Sequence, residues 1–295
     1  MTAIPKDQAS ELRRLVESRA APPALAVRRR HSARVLAVAS GKGGVGKTNI
    51  AVNLAICLAR RGLHVALVDA DLGTANVDVL MNVRPLYDLS HVIRGKHTLE
   101  EVAAPVGRRL RLIAGASGLA SVADLSEFER HRLIHEMGRL EAQSDVVLLD
   151  CGAGISRNVL AFAHSADDLL VVTTPEPTAL TDAYALIKAL SRAPQPPQMR
   201  LVVNQASTDR EADLVAGRIR SVATRFLGVS IECVGRILQD RHVPLAVRQR
   251  VPFVVKYPGS DAAKGVTALA ERVALWAFAG AARPGFFRRV FRFFN

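Results

Sequence analysis

The chain has little of what marks secreted, membrane-spanning or metal-clustered proteins. Its 295 residues include three cysteines, Cys57, Cys151 and Cys233, far apart and without metal-ligand spacing. That excludes a disulfide framework and fits a reduced, cytoplasmic setting. The first residues, Met1 to Asp7, have no apolar core of the signal-peptide kind. Hydrophobic content is 49%, yet no uninterrupted apolar run reaches the ~18 residues of a spanning helix. There is no internal repeat and no second phosphate loop. Acids are missing from both ends. Residues 19–34 carry five arginines and residues 283–295 carry four, with no Asp or Glu in either, so nine of the thirteen excess positive charges lie there. This places attraction to anionic surfaces at the chain ends and not in a nucleic-acid groove.

The most informative stretch is Ser40-Gly41-Lys42-Gly43-Gly44-Val45-Gly46-Lys47-Thr48, preceded by the apolar run Val35 to Ala39 and followed by a helix-period segment from Asn49 to Arg61. Strand, glycine loop and helix are the context in which G-x-x-x-x-G-K-[ST] binds a nucleotide triphosphate. Glycines let successive N–H groups converge on an anion, and the helix N-terminus adds its positive dipole end. Gly41, Gly43, Gly44, Val45, Gly46 and Asn49 form the cradle. Lys47 reaches the β- and γ-phosphates, and the Thr48 hydroxyl coordinates Mg²⁺.

Beyond the loop, apolar runs alternate with amphipathic segments. The pattern predicts strands over 35–40, 64–70, 109–114, 145–150, 168–174, 199–204 and 231–235. It predicts helices over 48–61, 86–94, 126–142, 156–164, 178–191, 209–226 and 261–279. The expected fold class is α/β, a mostly parallel twisted sheet with helices on both faces, and ligands at the carboxyl ends of the strands. Three units are expected: a flexible segment over 1–33, a nucleotide-binding domain over 34–282 and a C-terminal helix over 283–295. Two predicted strands end in acids. Val68-Asp69-Ala70-Asp71 closes one, and Asp145-Val-Val-Leu-Leu-Asp150 closes the other, followed by Cys151-Gly152-Ala153-Gly154. Asp150 has the Walker B shape and reaches Mg²⁺ directly or through water. Asp69 reads either as support for the Mg²⁺ shell or as a turn-capping aspartate. Cys151 reads as a small buried filler.

The two ends have their own patterns. Residues 6–19 read as a short helix, marginal alone in water, and the Pro- and Arg-containing stretch to Ala33 as a flexible linker. At the other end, Phe286, Phe287, Val290, Phe291, Phe293 and Phe294 fill an arc of roughly 160° on a helical wheel, with Arg288, Arg289 and Arg292 opposite. Such a face suits the headgroup boundary of an anionic membrane. The same face also suits docking on the chain's own domain. Full burial of the five rings is worth at most about 8–15 kcal/mol, offset by ordering the helix.

KGGVGKT, with its early lysine, resembles the deviant Walker A loop of the MinD/ParA ATPase class, and the resemblance covers about residues 34–295. It implies a homodimer closed by ATP, in which Lys42 crosses to the partner's phosphates; a solvated loop cation is the plainer alternative. It implies that Asp71 positions the attacking water and that Asn204 contacts adenine, with Asp240 on the other wall of the base pocket. Asp182 resembles a dimer- and partner-facing acid, and reads equally well as a helix-surface residue. The run Asp71-Leu72-Gly73-Thr74-Ala75-Asn76-Val77-Asp78 and the N-terminal Asp7-Gln8-Ala9-Ser10-Glu11-Leu12-Arg13 resemble the flagellar-number regulators of that class, the FlhG branch. There Asp7, Gln8, Leu12 and Arg13 would stimulate the FlhF GTPase. Flagellar switch proteins or a flagellar transcription activator are the other partners implied. Thr74 and Asn49 depart from the usual Leu and Thr. The expectation is therefore a slow, dimer-dependent ATPase that associates reversibly with the inner face of the cell membrane and binds no specific nucleic-acid sequence. The alternatives are a MinD-like division-site regulator and a ParA-like partition ATPase that binds DNA.

Overall fold

A computed structural model of the chain describes residues 33–71, 76–115, 124–193, 196–276 and 285–294. The short helix expected over 6–19, with Asp7, Gln8, Leu12 and Arg13, lies outside the described residues. So does most of the run that follows Asp71.

One eight-stranded sheet organises the described residues. In chain order its strands are β1 (Arg34–Ser40), β2 (Val65–Ala70), β3 (Ala104–Pro105), β4 (Leu110–Ile113), β5 (Val146–Ala153), β6 (Asp168–Thr173), β7 (Gln198–Ala206) and β8 (Glu232–Leu238). Their spatial order is β3-β4-β2-β5-β1-β6-β7-β8, parallel except for the antiparallel β3–β4 edge pair. The helices are α1 (Lys47–Arg60), α2 (Val77–Met81), α3 (Leu89–Ile93), α4 (Leu99–Val102), α5 (Glu127–Gln143), α6 (Arg157–Ser165), α7 (Pro177–Ser191), α8 (Asp209–Leu227), α9 (His242–Arg248), α10 (Phe253–Lys256), α11 (Asp261–Trp276) and α12 (Phe286–Phe294). All seven expected strands are present. The edge strand β3 and the short helices α2, α4, α9 and α10 are not in the expected pattern, because two to seven residues carry too little period to read.

The central strands are apolar on both sides because both sides are covered. Along β1, Val35, Ala37 and Ala39 enter one layer of the core, with α5 to α8, while Leu36 and Val38 enter the other, with α1 and α11. Helix starts follow local chemistry. Ser126 and Glu129 form a capping box on α5, and the hydroxyls of Ser156 and Thr208 cap α6 and α8. At the amino ends of the strands, away from the phosphate loop, buried Asp168 accepts from Arg34 Nε at 2.6 Å and from Arg200, whose guanidinium stacks 3.9 Å from the Trp276 ring centre.

The last helix is docked on the molecule. Of the two arrangements its pattern allows, packing on its own domain is the one present. Phe286, Phe287, Val290 and Phe291 are buried in the layer of α5 and α6, and Phe293 and Phe294 are half-buried. Phe162 of α6 receives Phe286 and Phe287 with ring centres 6.3 and 6.4 Å away. Polar contacts seat the helix as well. The Phe286 N–H donates to Glu141 Oε1 at 3.0 Å, and Arg289 pairs with Asp167 at 3.1 Å. The arginine arc is therefore not wholly solvated, which the wheel alone does not show. Phe286→Ala should lower the unfolding free energy in urea by about 3 kcal/mol, the loss typical of a buried ring. An unchanged midpoint would mean that the docked helix adds nothing to stability.

Candidate functional site

The phosphate loop joins β1 to α1 at the carboxyl edge of the sheet. Gly44 and Gly46 have φ of 83° and 85°, the left-handed region that glycine enters without strain. Gly41 is required for a different reason: a Cβ there would lie 2.0 Å from the Asp182 carbonyl oxygen on α7. The loop is thus pressed against the backbone of that helix. Ser40 Oγ donates to the Lys42 carbonyl at 2.9 Å and tightens the turn. Helix α1 begins at Gly46 with no side-chain cap and no acid in its first turn, unlike α5 and α8. Its first N–H groups are thereby left to an anion.

Behind the loop stand the acids. Asp69 and Asp150 are register partners on the adjacent strands β2 and β5, both almost fully buried. Lys47 Nζ donates to Asp150 Oδ1 at 2.8 Å and lies 3.4 Å from Thr48 Oγ1. Burial holds the Asp150 carboxyl above its usual range, although Lys47 and Thr48 pull against it. Asp69 is pushed up to about 7, by burial first and then by the charge of Asp150. Its oxygens accept N–H bonds from Asp71 at 3.1 Å, Asn76 at 3.0 Å and Val77 at 3.2 Å. Asp69 thus caps the backbone of Asp71, Asn76 and Val77, and it lies beside Asp150. Asp71 reaches toward β5, where a Cβ on Gly152 would sit 3.5 Å from Asp71 Oδ1. Two neighbouring carboxyls, of which Asp150 alone is paired with the Lys47 ammonium, form a site short of positive charge. That donor set, with the Thr48 hydroxyl, fits a hard divalent cation with oxygen ligands.

The remaining expected residues fall into two groups. Gly43 and Gly44 are exposed on the loop rim, and a Cβ on either would meet nothing. Beside them Lys42 Nζ donates to Glu176 Oε1 at 2.5 Å and to Thr178 Oγ1 at 2.8 Å, and Lys42 holds the Glu176 carboxyl below its usual range. The other group is already engaged by protein. Asn204 Nδ2 donates to the Val45 carbonyl at 2.8 Å. Asn49 offers its carbonyl to Asn53 Nδ2 at 2.7 Å. Asp240 accepts from the His242 N–H at 2.8 Å and the Ala262 N–H at 3.1 Å. Burial works against the Asp240 charge, but these N–H groups and the His242 ring hold the carboxyl down at about 2. Asp182 is half-buried, with its backbone against Gly41. Cys151 is fully buried and pushed up to about 12 by burial, which makes it inert filler. Sequence reasoning missed Glu176 and Thr178. The signal was an acid between Pro175 and Pro177 at a strand end, where it caps the approach to the loop.

Residues 33–201 match the AAA domain family. The antiactivator FleN of Pseudomonas aeruginosa is 39% identical over 246 residues, covering 83% of this chain and 88% of that protein. The chain belongs to the MinD/ParA-type ATPases. The flagellum site-determining protein YlxH of Helicobacter pylori is 34% identical, with 74% of each chain covered. The cell division ATPase MinD of Pyrococcus furiosus shares the fold with a TM-score of 0.67 at 26% identity, over 82% of this chain and 99% of that one. As a MinD/ParA-type ATPase the chain hydrolyses ATP with Mg²⁺.

The Asp69 shift has a measurable consequence. Unfolded, this carboxyl titrates near its ordinary 3.8, whereas folded it titrates at about 7. Between those values the folded state binds the extra proton, so stability without nucleotide falls as pH rises from about 4 to about 7 and is then level. Asp69→Asn should flatten that part of the profile, whatever its own effect on stability. Urea unfolding at a series of pH values measures the slope, and an equal slope in both proteins would rule Asp69 out as its source.

Proposed function

We propose that the chain is an ATP-switched homodimer that sets the number or placement of flagella from the inner face of the cell membrane. Lys42 carries the reading. It is the one loop lysine turned outward, held by the exposed Glu176 and Thr178 and not by the Mg²⁺-side acids. In this reading it leaves Glu176 and reaches the triphosphate of a second copy. Lys47 holds the β- and γ-phosphates of its own site, Thr48 and Asp150 hold Mg²⁺, and Asp71 orients the attacking water. Mg²⁺ neutralises charge on the phosphates, so positioning by these side chains supplies most of what phosphoryl transfer needs. Turnover is slow, because the sequence offers no built-in arginine finger.

The similarity to YlxH and FleN supports the flagellar reading. In it, Asp7, Gln8, Leu12 and Arg13 stimulate an FlhF-type GTPase, and the phenylalanine face of α12 enters an anionic membrane once undocked. Two tails on one dimer bind such a surface far better than one, through effective concentration. Flagellar switch proteins or a transcription activator are further partners of the same assembly.

Lys42→Ala should leave ATP binding largely intact. It should weaken ATP-dependent dimerisation by more than about tenfold, or ~1.4 kcal/mol. Light scattering of the hydrolysis-impaired Asp71→Ala protein, with and without the second substitution, is the measurement. Dimers of undiminished affinity would remove Lys42 from the role. Separately, deletion of residues 285–294 should abolish ATP-dependent pelleting with anionic liposomes, and Gln8→Ala should abolish stimulation of FlhF GTP hydrolysis. Full pelleting without the tail would sink the membrane part alone.

A further inference from the structure

The start of β1 and the start of α12 are held at one place. The Ala33 N–H donates to the Glu141 carbonyl at 3.0 Å, and the Phe286 N–H donates to the Glu141 side chain, also at 3.0 Å. Asp167 repeats the arrangement. Its Oδ2 accepts from the Val35 N–H at 2.8 Å, and its Oδ1 pairs with Arg289 at 3.1 Å. Both acids are buried. The two arginine-rich, acid-free segments lie at opposite ends of the sequence, and the fold makes their attachment points neighbours. Arg28, Arg29 and Arg30 stand three to five residues before Ala33. Covalent geometry keeps them within about 18 Å of it.

On this side a groove of about 980 Å³ opens between α5 and α12. Its floor is apolar, made by Ile134 of α5 with Phe287 and Phe291 of α12. Its rim is basic. Helix α5 contributes Arg130, His131 and His135, and α12 contributes Arg288 and Arg292. Arg289 is turned inward to Asp167, while Arg288 and Arg292 are exposed. The Arg130 guanidinium lies 5.7 Å from the Phe291 ring centre, so it bridges the two walls. The acids lining the groove are Glu127, in the first turn of α5, and Glu141, which accepts the Phe286 N–H. Positive charge and N–H donors therefore prevail along the rim.

An apolar floor under a rim of guanidiniums suits a phosphate carried on an acyl body, since guanidinium binds phosphate oxygens in pairs. A nucleic-acid backbone would use the rim and leave the floor idle. We propose that this groove is a headgroup site for an anionic phospholipid, through which the chain meets a membrane while the rings of α12 are still buried. The choice of partner rests on the membrane reading given above. The contact is a different one. Insertion of α12 is apolar, follows ATP and needs the helix undocked. The groove contact is electrostatic, needs no nucleotide and exists only with α12 in place, because α12 forms one wall.

The test is sedimentation of the full chain, without nucleotide, with vesicles containing phosphatidylglycerol and with vesicles of phosphatidylcholine alone. Binding should require phosphatidylglycerol and fade as salt is raised. Arg130→Glu should weaken it by more than about tenfold, since each charge at such a surface counts for about fivefold. Arg225→Glu makes the same charge change on α8, outside the groove, and should stay within about twofold of wild type. Equal losses in the two variants would reduce the effect to net charge and overturn the proposal. So would absence of binding without nucleotide, or equal binding to phosphatidylcholine alone. Glycerol 3-phosphate binding as tightly as the vesicles would make the ligand a soluble phosphate. Preference for duplex DNA over vesicles, lost in Arg130→Glu, would make the partner a nucleic acid. Either result would overturn the lipid assignment. If Arg130→Glu does not fold, His131→Glu, at an exposed rim position, decides by the same comparison. ATP-dependent pelleting reads insertion of the rings, so either result can fail and leave the other standing.

Discussion

Two carboxylates held side by side in a dry sheet set the terms for the rest of this molecule. Asp69 and Asp150 are register partners on paired central strands, and the Lys47 ammonium is paired with Asp150. Burying like charges together costs free energy unless a cation or a proton joins them. The raised titration of Asp69 shows the proton option in the protein without ligands. A divalent cation is the other option. The nucleotide site is in this sense a charge deficit held open by the fold, with three backbone N–H groups keeping Asp69 in place meanwhile.

Around this deficit the structure is tied at several points to elements that face outward. The loop is seated on α7 through Gly41, on β7 through Asn204, and on Glu176 through Lys42. The Asp69 carboxyl holds the start of α2 and the Asp71 N–H. Each tie joins the phosphate site to a different part of the surface. Filling the site therefore has several routes by which to change what the outside of the molecule presents.

Much of this was legible in the sequence, and the limits are physical. The strands could be read because a sheet covered on both faces needs continuous apolar runs, as in Val146 to Leu149. The loop could be read because glycine, lysine and threonine at that spacing have one chemistry. Asp150 could be read because an acid closing an apolar strand is costly without a purpose. Partnership across the fold was not legible. Nothing local joins Lys42 to Glu176, 134 residues away, or Asn204 to Val45, 159 residues away. The wheel of residues 286–294 identifies an apolar face but not its occupant, since Phe162 and Glu141, which receive it, lie far off in the chain. The resemblance implies that Asn204 contacts adenine, and the structure adds a bond that no local pattern announces, from its amide nitrogen to the Val45 carbonyl.

The docked tail has a consequence for any measurement of lipid affinity. On the proposed membrane reading, the same rings cannot sit against Phe162 and in a bilayer at once, so the protein's interior competes with the vesicle. A synthetic peptide of residues 285–295 has no such rival and should outbind the intact chain by the equilibrium constant for letting go. Each ~1.4 kcal/mol of docking conceals a further tenfold of that affinity.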